Sequence, residues 1–510
     1  MSDTIEAKTA TPAPPPAYAF LEERFARLGA LQEAAAVLQW DTATMMAPGG
    51  AEARGEQLAT LDVLAHGLLT ESVVGDALSR AADEAGRLDR WQQANLREMR
   101  RQQAHATALP EALVAARSRA VRRCETLWRQ ARPQADFALV LPALDEVLRL
   151  TREAAGAKAA ALGLSPYDAL LDEYEPGGRC ARIDEIFDRL AANLPGLLGE
   201  VLERQAGQPA PLPLDGPFPL AAQEALGRRL MARLGFDFEH GRVDVSAHPF
   251  CGGTPDDIRL TTRYDETDFT SAIMGVLHET GHALYEAGLP ARWRRQPVGA
   301  ARGMALHESQ SLLMEMQACR SPAFIAWLAP VAAQAFGGAG EAWSAENLQR
   351  LYRRVEPGFI RVDADEVTYP AHVILRYRLE RSLLSGDLAL ADLPGAWNEG
   401  LQGLLGITPP DDRLGCLQDI HWYDGAWGYF PTYTLGAMAA AQLFAAACAA
   451  CPGIPEDLGR GEFATLVGWL RREVHGKGSL LSTDELLQAA TGQALDPAVF
   501  ESHLRRRYLG

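Results

Sequence analysis

The sequence predicts a mainly α protein built as one large helical domain. Three observations carry that expectation. Apolar residues recur at three-to-four spacing along most of the chain, the mark of helices with one buried face. Leucine, alanine, arginine and glutamate dominate these stretches, and all are good helix formers. Strand-like alternation is confined to one short region. With 510 residues, 47% hydrophobic and 23% charged, the chain can bury a sizeable core and is neither disordered nor collagen-like.

In chain order, residues 1–17 read as a disordered tail, because Pro12 and the run Pro14 to Pro16 sit among small residues. The tail lacks the apolar stretch of a secretory signal, so a cytoplasmic location is expected. Residues 18–510 form a single helical domain, compatible with two lobes around a cleft. Phe20, Leu21, Phe25, Leu28, Leu31, Ala35 and Leu38 mark the first helix. Similar patterns run from Leu58 to Leu78, Leu88 to Ala106, Leu144 to Leu162 and Ile183 to Leu202. Breakers separate the runs, among them Pro48-Gly49-Gly50, Pro176-Gly177-Gly178 and the proline-rich stretch Pro209 to Pro219. Between Gly235 and Phe250 the alternation Arg242 to Ser246, and then the threonine-rich Arg259 to Tyr264, predict a small sheet. Leu435 to Cys451 is apolar except for Gln442. It is alanine-rich and has no basic flank after it, so it reads as a buried core helix.

Charge narrows the function classes. The net charge of -17 leaves no electrostatic footprint for nucleic acid or an anionic membrane. Polyanionic substrates are disfavoured too, unless a local basic pocket outvotes the global field. Seven cysteines, an odd number in so long a chain, do not make a disulfide framework. Cys448 and Cys451 form a lone CxxC without the nearby partners a zinc site needs, and read as free thiols.

The segment that carries chemistry is His278-Glu279-Thr280-Gly281-His282, an HEXXH motif. On a helix, residues four apart share a face, so both histidines can address one metal ion. Glu279, beside the first ligand, can reach a water at that metal. Ile273, Met274, Leu277 and Leu284 supply apolar faces, Asp268 or Thr270 can cap the start, and Pro290 ends the helix. A third protein ligand is needed. Met304 to Glu315 is helical in pattern and offers Glu308 as the best candidate, with Glu315 and His307 as alternatives. A His2Glu set suits zinc with an activated water.

Further motifs accompany HEXXH. They are His248-Pro249-Phe250 (HPF), Asp257 to Thr261 (DXRXT), Ile360 to Asp365 (IRXXAD) and Gly415 to Trp422 (GXXQDXHW). Gln39-Trp40-Asp41 and Tyr167 to Asp172 belong with them. Together they resemble the thermostable (Taq-type) metallocarboxypeptidases, a family of HEXXH zinc carboxypeptidases, over nearly all the chain after the tail. The resemblance implies an almost wholly helical fold shaped as a deep groove, with a small sheet near the site. It implies release of single C-terminal residues from peptides, with broad specificity but not at proline. It also implies zinc, with cobalt as a substitute, and a homodimer acting on peptides. His278, His282 and Glu308 are then the ligands and Glu279 the general base. The sequence departs from the family in Leu312 to Met316 and at Ala437, which leaves the shape of the subsites open.

The mechanism needs two more things. A donor must stabilise the oxyanion, an effect worth ~3 kcal/mol per donor in other systems. His421 and Tyr433 are the candidates, and core aromatic packing is the competing reading for the tyrosine. An exopeptidase must also recognise the terminal carboxylate, which arginine does best. The resemblance points to Arg361. Arg259 and His248 are expected to limit how the substrate lies, and Arg259 can also hold Asp257. The alternative function is a metallo-endo-oligopeptidase of related helical fold. A metallo-aminopeptidase fits less well, because Gly436-Ala437-Met438-Ala439 lacks the asparagine and acid of an amine-binding segment. A catalytically dead peptide-binding scaffold would need a broken HEXXH, and the motif is intact.

Overall fold

A computed structural model describes residues 14–246 and 249–510. Most of the tail and His248 therefore lie outside the described residues. The first helix starts at Pro16, so Pro16 and Ala17 belong to it rather than to the tail. Proline is well placed there, since the first turn of a helix does not need its N–H.

Four helices lead the chain: α1 (Pro16–Thr44), α2 (Ala51–Thr70), α3 (Ser72–Asp83) and α4 (Arg90–Thr107). The run expected from Leu58 to Leu78 breaks at Glu71, whose extended backbone separates α2 from α3. A small core joins α1, α3 and α4 through Tyr18, Leu21, Phe25, Val74, Leu78 and Met99. Next come α5 (Glu111–Gln134), α6 (Phe137–Leu162), α7 (Pro166–Tyr174), α8 (Cys180–Ala206) and α9 (Leu220–Leu234). They pack with the C-terminal helices around the main core, where the largest buried side chains include Trp397, Trp427, Tyr285 and Phe324. Burying each such side chain contributes on the order of 1.5–3 kcal/mol.

The sheet has the order β1-β3-β2, with β1 (Gly241–Val245) parallel and β2 (Cys251–Thr254) antiparallel to β3 (Asp257–Thr262). The strands β1 and β3 fall where alternation and threonine content predict them. The strand β2 does not announce itself, because its Cys-Gly-Gly-Thr sequence has little β propensity. Ile258 and Leu260 pack the sheet onto α9 and onto α10 (Phe269–Gly288).

The remaining helices are α11 (Met304–Leu312), α12 (Pro322–Phe336), α13 (Ala345–Tyr352), α14 (Tyr369–Ser385), α15 (Leu393–Leu405) and α16 (Pro431–Ala450). After them come α17 (Ile454–Leu458), α18 (Ala464–Glu473), α19 (Thr483–Thr491) and α20 (Pro497–Leu509). A π-helical stretch, Leu313–Ala318, continues α11. The apolar α16 is a core helix as expected, with Leu435, Met438, Gln442 and Leu443 buried. All seven cysteines are free thiols, and Cys448 and Cys451 sit at its end. The architecture is mainly α with a small sheet beside the HEXXH helix, as expected.

Candidate active site

The HEXXH segment lies on α10. Asp268 caps that helix, its Oδ1 accepting the backbone N–H groups of Thr270 at 2.8 Å and Ser271 at 3.3 Å. Buried Ile273, Leu277 and Leu284 fix the helix in the core. His278 and His282 follow one turn apart on one face. Across from them α11 presents Glu308, with Oε1 3.9 Å from His278 Nε2 and Oε2 3.7 Å from His282 Nε2. One donor atom from each of the three residues lies within 4.8 Å of the others, the one such cluster among the described residues.

Two glycines allow this convergence. A Cβ on Gly281 would stand 2.5 Å from the carbonyl oxygen of Gln310, so α11 lies directly on α10. A Cβ on Gly436 would stand 2.8 Å from Glu308 Cβ, so α16 presses on the other side of the carboxylate. Neither position allows a side chain without movement.

The two alternative third ligands have other partners. Glu315, in the π-helical stretch, holds His278 Nδ1 at 2.9 Å and accepts a hydrogen bond from Arg320 Nη2 at 2.6 Å. Pinning Nδ1 directs the Nε2 lone pair at the space beside Glu308. His307 Nε2 is 2.9 Å from Glu286 Oε1, and its ring stacks on His282 with centroids 4.5 Å apart.

Charge is crowded here. Burial opposes a charged His278, but Glu315, Glu308 and Glu279 outweigh it and push its pKa up to about 10. Burial pushes Glu279 up to about 7 against the pull of His278. Its Oε2 is buried without a hydrogen-bond partner. Burial also raises Glu308 and holds His282 well below its usual value. Two imidazole nitrogens, a carboxylate and an excess of buried negative charge suit a divalent cation, so these residues fit a metal.

The facing wall is built from Arg361, Tyr369 and the segment Gln418 to Tyr433. Asp419 receives Arg361 Nη2 at 2.9 Å and Arg376 Nε at 2.6 Å, while Gln418 Oε1 accepts from Arg361 N at 2.9 Å and Arg376 Nη2 at 2.6 Å. The IRXXAD and GXXQDXHW motifs thus meet in one buried ion network. The Nε and Nη2 edge of Arg361 is taken by Asp419, and Nη1 faces Tyr369 OH at 3.3 Å. Its guanidinium lies 4.6 Å from the centre of the Tyr433 ring. His421 Nε2 is 3.0 Å from Tyr433 OH, and burial pushes the imidazole down to about 4, so it is neutral. Burial raises the pKa of Tyr369 and brings Tyr433 to about 12, and the Glu308 charge adds to both rises. This wall therefore lies within electrostatic reach of Glu308.

Arg259 has structural partners. It pairs with Asp257 at 2.6 Å and lies 4.4 Å from the centre of the Trp40 ring, which Arg242 also approaches at 5.0 Å. DXRXT and Gln39-Trp40-Asp41 together thus tie the sheet to α1. His248 is outside the described residues. Sequence reasoning missed the roles of Asp419, Gly436 and Glu315 as supports. Asp419 stands inside a recognised motif, whereas Gly436 in an alanine-rich run carries no signal.

The sequence matches, over residues 20–508, the family described as Carboxypeptidase Taq (M32) metallopeptidase. It is 38% identical over 505 residues to thermostable carboxypeptidase 1 of Thermus thermophilus, covering 97% of this chain and 99% of that protein. The fold matches Trypanosoma cruzi metallocarboxypeptidase 1 with a TM-score of 0.95 at 42% identity, covering 97% of this chain and 99% of the other. It matches an M32 carboxypeptidase from Deinococcus radiodurans with a TM-score of 0.90 at 36% identity, covering 96% and 98%. Helices converging on a His-His-Glu cluster and relatives matched from end to end agree: the chain belongs to the Carboxypeptidase Taq (M32) family and is a metallocarboxypeptidase.

Proposed function

We propose that this metallocarboxypeptidase removes single C-terminal residues from peptides, with broad specificity but not at proline, as a zinc enzyme that accepts cobalt. The observation that carries the reading is the His278-His282-Glu308 cluster beside a buried, unpartnered Glu279 carboxylate. The two Nε2 atoms and a Glu308 oxygen would hold the metal. When bound, the ion supplies Lewis acidity and lowers the pKa of a coordinated water to about 7. Glu279 takes the proton of the attacking water and passes it to the leaving amine. Tyr433 OH donates to the developing oxyanion, and neutral His421 positions that hydroxyl. Arg361 receives the terminal carboxylate through Nη1, the nitrogen that Asp419 does not hold. Arg259 and His248 limit how the peptide lies. The same reading places the enzyme in the cytoplasm as a homodimer with peptides, not nucleic acid or membrane, as partners.

The test is a paired digestion by metal-loaded enzyme, followed by mass spectrometry. One peptide has a free C-terminus and its twin is amidated. A ladder of single-residue losses from the free peptide alone is expected. Glu279→Gln should lower the rate by about 10²–10⁴-fold with metal still bound. Internal cuts in both peptides would reassign the chain to the endo-oligopeptidases and remove Arg361 from its role.

A further inference from the structure

Far along the chain from HEXXH, three arginines line a small cavity between the end of α8, the end of α13 and the last turns of α20. Its volume is about 60 Å³, and its walls include Arg204, Gln208, Arg353, Arg507, Tyr508 and Gly510. About 10–15 Å³ suffices for one water-sized group, so the space matches a small polyatomic ion. The frame is built. The Gln205 side-chain amide clamps the Val355 backbone, Nε2 donating to its carbonyl and Oε1 accepting its N–H, both at 2.9 Å, which fixes the segment carrying Arg353 against α8.

The arginines are not equally satisfied. Positive charge is expected in the last turn of a helix, where carbonyl groups are unpaired. That accounts for Arg204, which donates to Gly510 O at 2.8 Å. Arg507 has Glu366 at 3.0 Å and the carbonyl of Met316 at 2.5 Å. Arg353 has neither. Among the described residues its guanidinium makes no ion pair or hydrogen bond, and its Nε is buried without a partner. Burial and the neighbouring Arg507 charge both lower its pKa, and no carboxylate opposes them. Glu366 is tied to the cavity wall through Arg507 and Tyr508 and is shared with His503, while the oxygen of Gly510, also in the wall, is held by Arg204.

We propose that this cavity is a binding site for a small oxyanion of the inorganic phosphate class, with Arg353 as its principal ligand. The planar guanidinium fork matches such oxygens, and charge-assisted hydrogen bonds would satisfy the donors that the fold leaves open. The site also touches the catalytic framework. Arg507 donates to Met316 O and Gln317 O of the π-helical stretch, which carries Glu315 and through it holds His278.

The experiment titrates full-length enzyme with inorganic phosphate by calorimetry, in metal-loaded and metal-free forms. One saturable site is expected in both forms. Arg353→Gln should weaken it by about tenfold or more, since a hydrogen bond to a charged group is lost. Peptidase activity without phosphate should be unchanged in that variant, which shows that it folds. Arg204→Gln gives a second comparison, with a smaller loss, should the first variant fail to fold. No saturable binding, binding unaltered by either substitution, or binding present only in the metal-loaded form would overturn the proposal.

Discussion

The convergence of α10, α11 and α16 and the N-terminal α2 are both helical, yet they are built on opposite terms. Around Glu308 three helices approach until two glycines are the only residues that fit. On α2, 20 residues long, no residue is buried, and Val63 and Leu64 are 71% and 52% exposed. Polar ties such as Arg54 to Asp41 of α1 hold it in place. Helix-forming composition alone thus says little about what a helix is for. The ligand face depends on tertiary constraint at every position, while α2 depends on propensity, the partial burial of Ala65 and Leu69 against the small core, and surface contacts that contribute little.

The comparison can be broken most forcefully at Asp419, which supports the site wall. Its carboxylate lies between Arg361 and Arg376, both buried. Asp419→Asn would leave two buried guanidiniums short of counter-charge and should cost about 3–5 kcal/mol in denaturant unfolding. Burial alone would raise the Asp419 pKa, but Arg361 and Arg376 hold it well below the usual carboxylate range. A depressed carboxyl stabilises the fold above its unfolded pKa of about 4 and loses that effect as pH falls below it. The variant should therefore lose part of the acid-side slope of stability. An unchanged slope would show that the network contributes nothing.

The next largest effect is expected at Gly436→Ala. Its methyl group would strike Glu308, so a loss of about 1–3 kcal/mol and weaker metal retention are expected. Gly275→Ala on α10 is the control, since nothing lies within 4 Å of a Cβ there. It should gain about 0.5–1 kcal/mol from helix propensity. If both variants behaved alike, close approach would not be what distinguishes the site.

These positions also mark how far the sequence could be read. HEXXH is legible because i and i+4 share a helix face whatever the tertiary fold. Glu308 is legible only as one of three candidates, because choosing among them requires knowing which carboxylate α11 turns toward α10. The break at Glu71 was invisible, since neither glycine nor proline makes it. The strand β2 was invisible because its pairing with β3, not its composition, makes it a strand. Arg361 was legible through its motif, but its occupation by Asp419, more than fifty residues away in the chain, is a purely spatial fact.

Glu315→Gln sharpens the contrast further. The carboxylate orients His278 and bonds Arg320, so replacing it should weaken metal affinity by about 10–100-fold in chelator competition. Stability of the metal-free protein should move less. An affinity equal to that of the wild type would reduce Glu315 to a charge partner of Arg320.

The smallest effect is expected on α2. Val63 is the most exposed large apolar residue recorded on that helix, and Val63→Ser removes no packing that this chain provides. Surface changes of this kind stay within about ±0.5 kcal/mol. The measurement pairs a denaturant midpoint with the solution mass of the wild type and the variant. A cost well above that range, or a change of mass, would mean that another copy buries this face. The helix would then owe its place to assembly, and the difference between the two regions would be one of timing rather than of constraint.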